Sequence, residues 1–294
     1  MVPLPKQDTG FFGKAAFGSI LMFGAVPVAY LIRLLYARGF SVEEYGLFYA
    51  MIASFMLLSI FANLGTKQAL GYLIPKHEGT RNANRVASAS GVLIVIATTI
   101  VGTVLFLGAP WLEQVFFQVE GAALVLRIMT GYFIAHQLTL IPGGIFFGLR
   151  TVWAYAGREL YRLTLALLFS LVALVLFELT LVTAAIAWVV SHALIAIGYF
   201  VALRISAPQI RYEKPDAKAY KDLLSYGIPT IFVAGAAVIM SKIDTVMITA
   251  FRAIEEVAAY NVAYPTGQVL VALASPLVLV ILPEVRALFH KNRL

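Results

Sequence analysis

A chain of 294 residues of which 61% are hydrophobic and only 13% charged cannot coat a water-facing surface, because a soluble domain devotes roughly a quarter of its residues to charge. Its mean hydropathy of +0.88 points to lipid as the surrounding medium. The net charge of +7 does not require nucleic acid, since Lys and Arg gathered beside membrane spans give the same total, and the lack of cysteine excludes disulfides, thiolate catalysis and Cys-ligated metal.

Pro3, Pro5, Lys6 and Asp8 precede an apolar stretch from Phe11 to Tyr36. It is too long for a signal-peptide core and has no small-residue cleavage pattern, so it is expected to persist as a first helix. A crossing helix needs about 20 residues, because every backbone group in lipid must be satisfied within the helix. Apolar runs of that order lie at 15–37, 46–74, 86–109, 121–149, 160–177, 181–203, 226–250 and 257–283, which predicts an all-α membrane protein of about eight transmembrane helices. Only Phe177-Glu178-Leu179-Thr180 separates the fifth run from the sixth. One helix from Leu163 to Leu203 would be about 60 Å long, so the chain is expected to fold back at Glu178 and Thr180.

Orientation follows from the basic residues. Lys6 and Lys14 lie before the first helix, and Lys76, Arg81 and Arg85 in the second connection. Arg150, Arg158 and Arg162 are assigned to the fourth, Arg204, Arg211, Lys214, Lys218 and Lys221 to the sixth, and Arg286, Lys291 and Arg293 to the C-terminal end. The alternate connections hold only Arg38 and Arg252, with Glu43, Glu44, Glu113, Glu120, Glu178, Glu255 and Glu256. Sixteen bases against two place both termini in the cytoplasm.

The stretch from Arg204 to Lys221, with Pro208 and Pro215, reads as a linker. It divides the chain into a six-helix bundle (1–205), a cytoplasmic linker (206–222) and the first two helices of a second bundle (223–294). Val42-Glu43-Glu44-Tyr45 after the first helix and Ile254-Glu255-Glu256-Val257 after the seventh, 212 residues apart, read as the same position in two repeats. On that reading the chain holds an incomplete second half of a transporter built from two parallel bundles.

Five ionisable residues fall at membrane depth: Arg33, Lys67, Arg127, Lys242 and Asp244. Charges there face a cavity or a partner. Arg33 and Arg127, near external helix ends, either snorkel to the interface or line a cavity. Lys67, with Asn63, Gly65 and Gln68 around it, suits a cavity wall. Lys242 and Asp244, two positions apart, do not face each other; Asp244 is expected to meet a base on the first or second helix and Lys242 an anionic substrate, or both serve interhelical salt bridges. Pro27, Pro142, Pro229 and Pro265 at helix depth favour bending. His136 beside Gln137 either lines a cavity or packs as an ordinary buried histidine. No HExxH, GxSxG or glycine-rich phosphate loop is present, so neither an enzyme nor a cofactor is expected.

Phe12-Gly13-Lys14-Ala15, Ile32-Arg33-Leu34-Leu35, Ser41-Val42-Glu43-Glu44-Tyr45-Gly46-Leu47-Phe48 and Asn63-Leu64-Gly65-Thr66 closely resemble the start of polysaccharide flippases of the multidrug, oligosaccharidyl-lipid and polysaccharide exporter superfamily. Lys242-Ile243-Asp244-Thr245-Val246-Met247-Ile248, Tyr260-Asn261-Val262-Ala263-Tyr264-Pro265 and Leu282-Pro283 look like the beginning of that family's second half. The resemblance implies a multi-pass cell-membrane flippase that moves a lipid-linked oligosaccharide, on a polyprenyl phosphate or pyrophosphate, by alternating access between two bundles. It implies pyrophosphate-binding roles for Arg33, Lys67 and Lys242, and matches Asp244 to an acidic position of the seventh helix. Expected partners are the lipid-linked oligosaccharide, membrane lipid and glycan-synthesis membrane proteins. The rival readings are a cation-coupled multidrug exporter of the same superfamily and a non-transporting membrane scaffold.

Overall fold

The computed structural model describes residues 9–77 and 79–267, and the regular structure among them is helical. The helices are α1 (Thr9–Gly39), α2 (Val42–Asn63), α3 (Thr66–Lys76), α4 (Arg81–Leu112), α5 (Ala122–Leu138), α6 (Leu140–Gly148), α7 (Val152–Leu176), α8 (Leu181–Ser206) and α9 (Ala217–Phe251). A further helix, α10, is described over 254–267. Seven spans among the described residues are long and apolar enough to cross a membrane, and α10 is the described start of the eighth predicted run; the rest of that run lies outside the described residues. The chain is an all-α, multi-pass membrane protein.

Local chemistry sets the helix ends. Ser41 opens α2 with a capping box: its Oγ accepts from the Glu44 amide at 3.1 Å, and Glu44 Oε2 accepts from the Ser41 amide at 2.9 Å. Thr180 and Thr183 do the same for α8, which starts the new helix where Glu178 and Thr180 were expected to turn the chain. Asp216 caps α9 by accepting from the Ala219 amide at 2.8 Å.

Four predicted runs are revised; the seventh begins at Ala217 instead of 226, so Lys218 and Lys221 of the expected linker lie in the first turns of α9. The second breaks at Leu64 and Gly65, with φ of 50° and 67°, so α2 and α3 share one crossing. The fourth divides into α5 and α6 at Thr139. The fifth begins at Val152 instead of 160, which moves Arg158, Glu159 and Arg162 out of the connection and into α7. Nothing between Val152 and Leu176 breaks a helix; the charges belong to an amphipathic first half whose buried face carries on through Arg162, Ala166, Ser170 and Ala173. Taking those two arginines from sixteen leaves fourteen bases against two, and the charge asymmetry survives.

Two clusters hold the bundle. One is aromatic and joins α1, α2, α5 and α8: Tyr36, Phe48, Phe55, Tyr132 and Trp188 are all buried. Here Trp188 Nε1 donates to Tyr36 Oη at 2.8 Å and the Tyr36 hydroxyl shares a 2.6 Å hydrogen bond with Ser170 Oγ, because in lipid a bundle is held by close packing and interhelical hydrogen bonds. The other joins α3, α4, α6 and α8 to the first turns of α9. Close backbone approach makes glycine necessary at Gly46 and Gly65, as it does at Gly148 and Gly227. A Cβ on Gly46 would run into the Ile254 carbonyl, and one on Gly65 into the Gly227 carbonyl. The first contact brings the Glu-Glu segments at the starts of α2 and α10 against each other.

Candidate functional site

A cavity of about 190 Å³ opens between α1, α2, α7, α8, α9 and α10. Arg33 projects from α1, Tyr49 from α2, Glu159 and Arg162 from α7, Trp188 from α8, Lys242 from α9 and Asn261 from α10.

Each charge is held differently. Arg33 Nη1 donates to the Asn261 carbonyl at 2.8 Å and its guanidinium lies 4.5 Å from the centre of the Tyr49 ring, a cation–π contact. Asn261 is positioned in turn by Nδ2 donating to the Val257 carbonyl at 3.0 Å and to Thr245 Oγ1 at 3.4 Å. Arg162, only 3% exposed, pairs with Glu159 one turn earlier through two nitrogens, Nε and Nη2. Its Nη1 meets His192 Nε2 at 3.0 Å. Guanidinium can only donate, so Nε2 accepts and the imidazole proton sits on Nδ1, which donates to the Trp188 carbonyl at 2.7 Å. Arg162 is thus fixed on one side by a carboxylate and on the other by a neutral histidine. Lys242 is half-buried and lines the cavity with no ion pair among the described residues. Three bases stand around one carboxylate, and the Arg162–Glu159 pair accounts for that acid. The surplus positive charge at Arg33 and Lys242 faces the open space.

Of the five residues singled out in the sequence, the structure brings Arg33 and Lys242 together. Lys67 lies elsewhere, in a small cleft with Gly143, Gly144, Tyr155 and Arg158; its ammonium sits 5.6 Å from the Phe147 ring centre, and Arg158 Nη1 donates to Thr139 Oγ1 at 2.9 Å. Arg158 lines this cleft and Glu159, the next residue of α7, lines the cavity. Arg127 is exposed, donating to the Phe106 carbonyl at 3.4 Å and packing over that ring, a snorkelling geometry away from the cavity. Asp244 is exposed too and accepts from Tyr260 Oη at 2.8 Å. The expected base from the first or second helix is not its partner. Two positions along a helix turn a side chain about 200°, which aims Asp244 away from the cavity that Lys242 enters.

Sequence reasoning missed Glu159, Arg162, His192 and Trp188. The available signal was the register of Arg158 and Arg162, which share the four-residue spacing of Ala166 and Ser170 with no helix breaker between them. His136 packs behind this group, its ring 6.0 Å from that of His192 and its Nδ1 buried without a partner. Among the described residues, no group of three or more His, Asp or Glu could hold a metal ion.

Residues 13–287 match the family described as Polysaccharide biosynthesis protein. An uncharacterized membrane protein of Methanocaldococcus jannaschii is 29% identical over 291 residues, covering 92% of this chain and 57% of its own. The EPS I polysaccharide export inner membrane protein of Ralstonia nicotianae is 25% identical over 135 residues, 46% of this chain and 31% of that one. This chain therefore spans a little over half of the first relative and about a third of the second. Among solved structures, a MATE protein crystallised with Br-NRF superposes with a TM-score of 0.57 at 21% identity, covering 87% of this chain and 63% of that one. A MOP superfamily transporter of Pyrococcus furiosus, whose reversed pocket polarity was taken to suggest a different function, superposes at 0.53 and 19% identity over 84% of this chain and 63% of that one. Both likenesses concern the fold.

Proposed function

Because the chain belongs to the polysaccharide biosynthesis protein family of the MOP transporter superfamily, we propose that it forms part of a transporter that carries an amphipathic solute across the membrane by alternating access. It moves its solute without altering bonds, and the cavity between α1, α2, α7 and α9 is the binding site. The observation that carries this reading is the surplus of positive charge from Arg33 and Lys242 within membrane depth, where an unpartnered charge is costly unless a ligand or water meets it.

The sign of that surplus favours an anionic head group. A lipid-linked oligosaccharide fits: its tail stays in the bilayer while Arg33 and Lys242 take the phosphate or pyrophosphate through charge-assisted hydrogen bonds. The family is described as Polysaccharide biosynthesis protein and the Ralstonia relative as a polysaccharide export protein, which supports a saccharide cargo. The purified chain in detergent should bind a polyprenyl diphosphate, and Lys242→Gln or Arg33→Gln should each weaken binding by about tenfold or more, the loss of one hydrogen bond to a charge. Unchanged affinity in both variants would remove the assigned roles.

A second reading, export of hydrophobic cations coupled to an ion gradient, is favoured by Glu159. Sequence reasoning left only Asp244 to serve a cation, whereas the structure puts a carboxylate on the cavity wall, in a fold shared with a MATE protein. Efflux of a cationic dye that depends on a proton or sodium gradient and disappears in Glu159→Gln, together with no binding of polyprenyl diphosphate, selects this reading over the first.

A further inference from the structure

A second and larger space lies outside the bundle, away from Arg33 and Lys242. It is a groove of about 450 Å³ between α4, α6 and α8, closed at one end by residues 210–212 of the segment joining α8 to α9. That volume falls in the range of small-molecule sites, roughly 300–1,000 Å³. Its walls are apolar: Gly91 and Val95 on α4, Ile141 on α6, Phe200 on α8. Val95 is 46% exposed and Phe200 38%, so the groove opens sideways to lipid instead of into the bundle. The base at Gly91 is open, since a Cβ there would approach nothing nearer than the Ile141 side chain at 3.8 Å.

The polar character is confined to one end. Arg204 in the last turn of α8 and Arg211 in the connecting segment both line the groove, beside Tyr212, and neither Asp nor Glu does. The segment is anchored to α4: the Arg211 amide donates to Asn84 Oδ1 at 3.3 Å and the Glu213 amide to Ser88 Oγ at 3.1 Å. Its far end is tied by an ion pair of Arg85 with Asp216, the cap of α9, at 3.0 Å. Two guanidinium groups and a tyrosine therefore stand where the hydrocarbon region ends on the basic side of the chain, above an apolar slot that runs down into the membrane. The match is to a molecule with an anionic head and an acyl tail, since basic pockets between helices at the cytoplasmic interface take acidic lipid head groups.

We propose that this groove is a binding site for an anionic phospholipid of the cytoplasmic leaflet, with the phosphate between Arg204 and Arg211 and one acyl chain against Gly91, Val95 and Phe200. A lipid seated there bridges α4, α8 and the segment that carries α9, and so braces the junction between the first six spans and the seventh.

The test uses the full chain in detergent, titrated with phosphatidylglycerol and, separately, phosphatidylcholine of the same chains, read by native mass spectrometry and by thermal stabilisation. Phosphatidylglycerol should bind at least tenfold more tightly. Arg204→Gln with Arg211→Gln should remove that preference, and Gly91→Phe, which fills the slot without touching either charge, should weaken phosphatidylglycerol independently. Lys218→Gln with Lys221→Gln, which changes basic residues outside the groove by the same charge, should leave the affinity intact. Equal binding of the two lipids, equal loss with the Lys218 and Lys221 pair, or displacement of phosphatidylglycerol by a stoichiometric amount of polyprenyl phosphate would each overturn the proposal.

Discussion

Lys242 and Asp244 differ by two positions and end in opposite surroundings, and that separation is the clearest physical lesson of the site. The sequence shows both as charges in one apolar helix; only the helical rotation decides that Lys242 enters the cavity while Asp244 meets Tyr260 on the exposed face. Lys242→Gln should therefore weaken head-group binding, whereas Asp244→Asn and Arg127→Gln should leave it within about twofold, an effect under roughly 0.5 kcal/mol typical of changes outside a site; a titration of the three variants checks it. Arg162 is held by Glu159 and His192 and is almost fully buried. Removing Arg162 leaves the Glu159 carboxylate, 44% exposed along the cavity, without its base, at a cost below the roughly 3–5 kcal/mol of a fully buried pair. Arg162→Met should lower the thermal midpoint sharply, and adding Glu159→Gln should recover part of the loss, the sign of coupling between neighbours.

Helix identity was legible from apolar run length, and the turn at Glu178 and Thr180 from length alone, because no bilayer accommodates a 60 Å helix. Two features were not. The break inside the second crossing depends on Leu64 adopting a left-handed conformation that leucine rarely takes, which no composition signals. The start of α7 was placed too late because a hydropathy reading ends a span at charge, whereas these charges face protein. Helix contacts also depend on glycine in a way that spacing does not reveal. Gly46→Val should push α2 from α10, since the added atoms meet the backbone of Ile254 and not a side chain that can turn away, and overpacking of that kind costs about 1–3 kcal/mol. Gly65→Ala should cost at least as much, because its φ of 67° adds strain to the collision with Gly227. Thermal unfolding in detergent measures both, and a midpoint unchanged in either would mean that the helices separate there without penalty.

At the scale of the molecule, fourteen bases against two favour one orientation of the spans, and the packing of α9 on α2, α3 and α4 lets the first six spans and the seventh share one cavity. The division into bundles and the cytoplasmic placement of both ends remain proposals drawn from charge and repeat; impermeant labels should reach cysteines at Lys76 and Arg252 from opposite faces of the membrane. The chain has no native cysteine, so the central claim, a wetted basic cavity within membrane depth, is open to direct measurement by single-cysteine labelling. In membranes, Lys242→Cys should react with a water-soluble thiol reagent and be protected by polyprenyl diphosphate at concentrations raised to offset its weakened binding, while Arg127→Cys should react without protection. An unreactive Lys242→Cys, or equal protection of the two positions, would contradict the account.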